Sequence, residues 1–234
     1  MRTMYLYFIL CILTSYRPLL GQIPLDKMSP DNQVFAEKIL RKPDFTFQIQ
    51  TKPANVRLKT MESLFNHPRL AAAMWRECQF VPKLYAFVLP NQGLVVDDGN
   101  GLRGTMTLAY QKAGLRIYLI EGIVEKWRMG NPFPVSAKMA VAYEYKEGPK
   151  GFQSSLQAWT TLDSTIIGIV TKPFRRYIQH RQEEFISYIM GNIAKGGEFA
   201  ECGYDDFIGP IRREGDPIAV RQFTEIFKNF TAPH

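Results

Sequence analysis

Between Leu84 and Leu162 the chain is cut at short, regular intervals by residues that favour turns. Pro90-Asn91-Gln92-Gly93, Asp97-Asp98-Gly99-Asn100-Gly101, Ala113-Gly114, Gly130-Asn131-Pro132 and Glu147-Gly148-Pro149-Lys150-Gly151 are the cuts. Glycine and asparagine tolerate positive φ, and proline fixes φ, so each cluster reverses the chain for a stated conformational reason. The stretches between them predict six strands: Leu84–Leu89, Leu94–Val96, Leu102–Lys112, Leu115–Trp127, Val135–Lys146 and Phe152–Leu162. Connections this short leave no room for crossover helices, so neighbours must run antiparallel.

Within these strands the residues alternate. Met106, Leu108 and Tyr110 interleave with Thr105, Thr107, Ala109 and Gln111. Met139, Val141, Tyr143 and Tyr145 interleave with Lys138, Ala140, Ala142, Glu144 and Lys146. The pattern predicts a sheet with one oily and one wet face. The stretch from Leu115 is apolar on both parities and does not declare its facing.

What flanks the meander is helical in pattern. Ser29-Pro30-Asp31 opens a helix to about Leu40. Asp44–Thr51 alternates as a half-buried strand. Asn55 to about Phe65 and Arg69 to Cys78 predict two short helices broken at Asn66-His67-Pro68. After the meander comes Asp163 to Gly196, a long helix capped by Asp163 or Ser164 and ended by Gly196-Gly197, with Pro173 as a kink or division. Its apolar positions Phe174, Ile178, Phe185, Ile189 and Ile193 predict one stripe, and such a stripe needs a sheet to bury against. Glu198 to Gly215 reads as irregular, and Asp216-Pro217 opens a last helix to about Phe230.

At 234 residues, 46% hydrophobic and 22% charged, the chain can bury a sizeable core. The net charge of +7 is spread over the whole length and forms no aromatic-interleaved basic face, so nucleic acid is not expected as a partner. Arg2 followed by the apolar run Met4–Leu13 is the pattern of a secretory leader over residues 1–21 and predicts export to a periplasmic or extracellular compartment. With that leader removed, two cysteines remain, Cys78 and Cys202, and no CxxC spacing occurs.

The order strand, two short helices, six-stranded antiparallel meander, long helix resembles the helix-grip superfamily of START-related lipid-transfer domains, polyketide cyclase-like proteins and plant pathogenesis-related allergens. Thr60-Met-Glu-Ser-Leu-Phe-Asn-His-Pro-Arg-Leu70 with Met74-Trp75 is similar to the helix-turn-helix opening of that family. The resemblance covers about Asp44 to Ala200. It implies an α+β helix-grip domain over 44–200, with a helical extension over 22–43 and a C-terminal extension over 201–234. It also implies a curved sheet wrapped round the long helix with a cavity between them. Alternation and resemblance together nominate Trp75, Met106, Leu108, Tyr110, Met139, Val141, Tyr143, Trp159, Phe174 and Ile178 as its lining, each of which would otherwise be core filler. Under this resemblance Cys78 and Cys202 could meet at one end of the long helix, which makes them the candidate pair for a disulfide.

Few polar groups could enter such a cavity: Arg116, Glu121, Glu125, Gln157 and Asp163. Arg116 paired with Glu121 or Glu125 would anchor a headgroup or polarise a carbonyl. Three function classes follow. One is an exported binding or transfer protein for a hydrophobic small molecule or lipid, with transient membrane-surface contact through Lys172, Arg175, Arg176 and Arg181. The second is a cyclase, dehydrase or hydrolase using the pocket Arg and Glu. The third is an interaction protein docking through its last helix, with its oligomeric state open. No metal or cofactor is expected. His67, His180 and His234 lie at no ligand spacing, and neither HExxH nor GxSxG occurs. Gly99-Asn-Gly101-Leu-Arg-Gly104 matches a dinucleotide fingerprint literally but leads into a strand, so it reads as a hairpin turn. Asp97-Asp98 beside it reads as turn chemistry rather than a cation site. Asn229-Phe-Thr231 is a glycosylation sequon only in a eukaryotic host.

Overall fold

A computed structural model describes residues 23–89, 93–99, 101–125, 134–163, 173 and 175–228. A single 3-10 turn, Leu25–Lys27, leads into α1, Pro30–Arg41. Then come β1 (Phe45–Gln50), α2 (Leu58–Asn66), α3 (Pro68–Glu77), β2 (Tyr85–Val88), β3 (Leu94–Asp97), β4 (Leu102–Lys112), β5 (Leu115–Val124), β6 (Val135–Gly148) and β7 (Gly151–Leu162). Three helices close the chain: α4 (Arg175–Cys202), α5 (Tyr204–Arg213) and α6 (Pro217–Phe227). The strands form a 7-stranded sheet in the order β1-β7-β6-β5-β4-β3-β2, with every neighbouring pair antiparallel. This is the α+β helix-grip arrangement that the resemblance implies. Asp97 Oδ1 accepts from the Gly99 N–H and Asp98 Oδ1 from the Leu102 N–H, so the acidic pair shapes the β3–β4 hairpin.

The two faces of the sheet bury different things. Phe47, Ile49, Val141, Tyr143, Tyr145, Phe152, Leu156 and Ala158 point to the inner face, where α2, α3 and the C-terminal half of α4 cover them. The outer face is not wet over its middle, which corrects the expectation from alternation. There Leu115, Ile117, Leu119, Ala140, Ala142 and Trp159 pack beneath α1 through Ala36 and Ile39. Alanine at 36, 140 and 142 lets a helix lie close on the strands. Alternation alone reads Ala140 and Ala142 as filler on a solvated face. The helix that covers them ends at Arg41, far upstream of Ala140 in sequence, so no local signal reveals it. Ser29 caps α1 by accepting from the Asn32 N–H, which typically stabilises a helix by ~1 kcal/mol.

α4 departs from its sequence reading in two ways. Gly196 and Gly197 do not stop it, and it runs on to Cys202. Both glycines are buried: a Cβ on Gly197 would lie 3.1 Å from Val56 Cγ2, and one on Gly196 would lie 3.8 Å from Cys78 Sγ. They serve close helix packing instead of termination. The buried stripe is also rotated by about one position. Ile186, Met190 and Ile193, with Ala194 and Ala200, face the core, while Phe185 is 36% exposed. Residues 164–172 and Phe174, which carry the expected start of this helix, lie outside the described residues.

The stretch read as irregular, 198–215, is helical: it completes α4 and forms α5. Asp205 and Asp206 in the first turn of α5 and Arg212 and Arg213 in its last suit the helix dipole, a signal that Gly203 and Pro210 mask in sequence. Asp216 caps α6 by accepting from the Ile218 and Ala219 N–H groups. Phe223 and Phe227 are fully buried and belong to the same core cluster as the inner sheet face. Arg69 of α3 bonds Asp216 at 2.9 Å, and Arg76 pairs with Glu214. The apolar side of the last helix is thus covered within the molecule.

Candidate functional site

Strand register decides which predicted lining residues share a face. Across β4, β5, β6, β7 and β1, Leu108 opposes Tyr118, then Val141, Ala158 and Phe47. The next inner row is Met106, Ile120, Met139, Thr160 and Phe45. On the other side of Tyr118 the row is Arg116, Tyr143, Leu156 and Ile49. Met106, Leu108, Arg116, Met139, Val141 and Tyr143 therefore share the inner face.

Tyr110 and Trp159 do not. A bulge at Ala109 shifts the β4–β5 register, so Tyr110 pairs with Ile117 and turns to the outer face. The extra residue of a bulge inverts parity for the remainder of its strand. Trp159 pairs with Ala140 and is sealed under α1 at 1% exposure. Trp75 sits in the helical layer instead: its Nε1–H donates to Pro82 O, and its ring meets Phe80 and Tyr188 edge-on. Ile178 is half-buried on α4, and Phe174 lies outside the described residues.

Of the five polar candidates only Arg116 enters the inner face. Glu121 and Asp163 both bind Lys138 on the outer face, at 3.2 and 3.3 Å. Glu125 is exposed. Gln157 pairs with Ala142 on the outer face and is buried there, its Oε1 without a hydrogen bond among the described residues. The expected pairing of Arg116 with Glu121 or Glu125 is therefore wrong, because residues an odd number of positions along β5 stand on opposite faces.

Arg116 is 1% exposed. Its Nη2 donates to Asn66 Oδ1 at 2.7 Å, its Nε to the Tyr145 hydroxyl at 3.3 Å, and its guanidinium carbon lies 5.3 Å from the Phe65 ring centre. Burial alone would lower its pKa. The Tyr145 and Tyr118 hydroxyls outweigh that and leave a net upward shift. Burial raises the pKa of Tyr118 and Tyr143, so both hydroxyls stay protonated at neutral pH. Around the cation Phe65, Tyr143, Tyr145 and Phe152 form one aromatic cluster with centroid separations of 5.3–6.3 Å. The sequence marks Asn66 only as part of a helix break and Tyr145 only as an alternating strand residue, and nominates neither for the site. Asn66 lies at the break between the two short helices, and no periodicity links it to β5.

Beyond Arg116 the inner face becomes apolar and open. Met106, Tyr118, Ile120 and Met139 are only half-buried, and Leu108 is 41% exposed. Among the described residues α4 makes its principal sheet contact with β1, at the far edge, and no comparable contact with β4 or β5. Thr160, on this face at 1% exposure, has an Oγ1 with no hydrogen bond among the described residues. A separate shallow depression of about 310 Å³ lies on the outer face, lined by Arg103, Thr105, Glu121, Ser136 and Asp163 among others. It is solvent-open and shares no residue with the Arg116 surface.

Cys78 and Cys202 are both free, against the candidate disulfide. Cys78 Sγ lies against Gly196, six residues and about 9 Å of helix before Cys202. No group of acidic, cysteine and histidine side chains able to hold a metal occurs among the described residues. No described helix is long and apolar enough to cross a membrane. Arg176 and Arg181 are exposed, and Arg181 is paired with Glu184.

No protein-family model and no curated protein matches the chain. Among solved structures it is similar to Ara h 8.0201, at 9% identity and TM-score 0.39, covering 64% of this chain and 98% of that one. A conserved protein from Geobacillus kaustophilus gives 11% and 0.39, covering 64% and 94%. DynU16, a putative protein in the dynemicin biosynthetic locus, gives 11% and 0.36, covering 75% and 50%.

Proposed function

We propose that this protein binds or transfers a hydrophobic small molecule, a lipid being the favoured class, on the inner face of its sheet. The observation that carries this reading is the half-covered apolar surface of Met106, Leu108, Ile120 and Met139 beside the buried Arg116. Apolar area left half in water stabilises nothing until something covers it, and covering it gains roughly 25 cal/mol per Å². Kinship with the helix-grip superfamily and export through residues 1–21 belong to the same proposal. They rest on element order and on the leader pattern respectively.

An enzymatic role draws less support. Glu121 and Glu125 face away from Arg116, and among the described residues the carboxylate nearest to it in the network, Glu62, is reached only through the Tyr145 hydroxyl. An interaction role through α6 draws less still, since Phe223 and Phe227 are already buried.

The test is native mass spectrometry of the purified protein, with solvent extraction of whatever it carries, alongside titration with the neutral probe N-phenyl-1-naphthylamine. Saturable probe uptake at one site, or a co-purifying lipid, is expected. Absence of both overturns the reading.

A further inference from the structure

We infer that the ligand of this surface is an anionic amphiphile whose acidic group is bound by Arg116, with its hydrophobic body running along β5 past Tyr118 toward Ile120 and Met139. The inference rests on the proposed binding function and adds the ligand's charge and orientation.

Arg116 is a fully buried cation, yet its hydrogen-bond partners are a carboxamide and phenol hydroxyls, all neutral. Among the described residues no carboxylate lies within salt-bridge distance of it. The nearest acidic group in the network is Glu62, one step removed, which accepts from the Tyr145 hydroxyl at 3.4 Å. The desolvation cost of a buried charge is ordinarily offset by an opposite charge held close to it. The aromatic cluster supplies some compensation, because the Phe65 face attracts a cation. The α2 C-terminus, ending at Asn66, supplies a little more. Neither is a counter-ion. A guanidinium has five N–H donors in a planar fork suited to a carboxylate, sulfonate or phosphate, and neutral single acceptors use that fork poorly.

The surroundings grade in one direction. The row at Arg116 carries Tyr143, with Tyr145 and Ser154 further along the same face. The row two residues on carries Tyr118, Val141, Ala158 and Leu108. The row four residues on carries Ile120, Met139 and Met106. Four residues of strand span about 13 Å. One end of this lane is therefore cationic and hydroxyl-rich, and the other is oily and thioether-lined. A neutral sterol or hydrocarbon would leave the Arg116 charge uncompensated. A ligand with an acidic head would neutralise it and cover the apolar end with its tail.

The competing explanation is structural: Arg116 would only tie α2 to β5. Two pairs of probes separate the readings. The intact protein is titrated with 8-anilinonaphthalene-1-sulfonate and with N-phenyl-1-naphthylamine, which share a ring skeleton and differ by the sulfonate. Charge-assisted hydrogen bonds of this type correspond to a tenfold or larger effect. Arg116→Met is thus expected to weaken the sulfonate at least about tenfold while the neutral probe changes by less than about twofold. Arg116→Lys should recover part of the loss. If both probes weaken equally, or neither changes, the headgroup assignment is overturned. Should Arg116→Met fail to fold, the unaltered protein answers alone. Dodecanoate should displace bound N-phenyl-1-naphthylamine at about one-tenth the concentration of 1-dodecanol, and equal potency overturns the inference while leaving the binding function standing. If the neutral probe does not bind and no lipid co-purifies, the binding function itself fails.

Discussion

The two faces of one sheet have been finished in opposite ways. On the outer face α1 lies on Ile117, Ala140, Ala142 and Trp159, each 2% exposed or less. On the inner face the same strands present a buried arginine, phenol hydroxyls and a half-covered apolar surface. The same β5 supplies both, with Leu115, Ile117 and Leu119 outward and Arg116, Tyr118 and Ile120 inward. The outer face is sealed at its middle by α1, whereas the inner face is packed under α2, α3 and α4 over β1, β7 and much of β6 and stays half-covered only toward β4 and β5, where the proposed ligand would lie. A binding surface is where local apolar area stays uncovered and a charge stays without its counter-charge, and here both coincide on one side only.

The largest effect that could break this comparison lies on the sealed side. Trp159→Ala should cost about 3–5 kcal/mol of unfolding free energy, read from urea denaturation. Binding of N-phenyl-1-naphthylamine should be unchanged wherever the variant remains folded. Leu108→Ala should do the reverse, costing less than about 1 kcal/mol while weakening the probe several-fold. If Trp159→Ala abolished binding in a folded protein, or Leu108→Ala proved as destabilising, the division of labour between the faces would be wrong.

A second, smaller contrast sits within β4. Tyr110 and Leu108 have the same parity in sequence, yet the bulge puts them on opposite faces. Tyr110→Ala removes packing from the cluster under α1 and should cost about 2 kcal/mol. It should leave probe affinity intact, whereas Leu108→Ala weakens it. Identical behaviour of the two variants would mean that the strand carries no bulge.

Two glycines of α4 give the next effect in size, with opposite signs. Nothing lies within 4 Å of a Cβ placed on Gly191, so Gly191→Ala should stabilise by up to about 1 kcal/mol through helix propensity. At Gly197 the new methyl meets Val56 at 3.1 Å and Leu64 at 3.4 Å. Overpacking of that kind costs about 1–3 kcal/mol, so the net should be a loss of up to about 2 kcal/mol. Thermal midpoints of the two variants check the signs. A gain at both positions would show that α4 is less tightly seated on α2 than its geometry implies.

Much of this architecture is legible in the sequence, for local reasons. Turn residues at Ala113-Gly114 and Glu147–Gly151 fix the hairpins, and Ser29-Pro30 and Asp216-Pro217 open helices where caps and proline predict them. What misleads is tertiary. The Ala109 bulge inverts a parity that alternation assumes constant, so Tyr110 is misplaced. Trp159 and the alanines of β6 look interchangeable until a helix from the N-terminal extension covers them. Gly196-Gly197 reads as a stop because propensity cannot see that α2 and Cys78 press against that turn. In the site, Arg116 is visible in sequence only as one of five polar candidates, because β5 is apolar on both parities, and its partners are not visible at all. Asn66 and Tyr145 are 50 and 29 residues away and belong to other elements.

The packed part of the inner side can be probed through Cys78, and this gives the smallest effect. Burial, with the neighbouring Glu77 charge adding to it, pushes the Cys78 thiol up to about 11. Cys202 is exposed. The thiolate is the nucleophile, so at pH 8 Cys78 should present on the order of a hundredfold less of it than an ordinary thiol. Iodoacetamide labelling followed by mass spectrometry should modify Cys202 first and Cys78 far more slowly. Denaturation before labelling should equalise them. The raised thiol pKa also sets a sign: its contribution to stability is complete below the ordinary thiol range and is lost as pH rises toward 11. Unfolding free energy should therefore fall more steeply between about pH 9 and 11 in the unaltered protein than in Cys78→Ala. Equal labelling rates in the folded protein would mean that α3 and α4 separate readily at Gly196. The contrast between a sealed scaffold and an open binding lane would then fail on the inner side, where α4 is meant to be held.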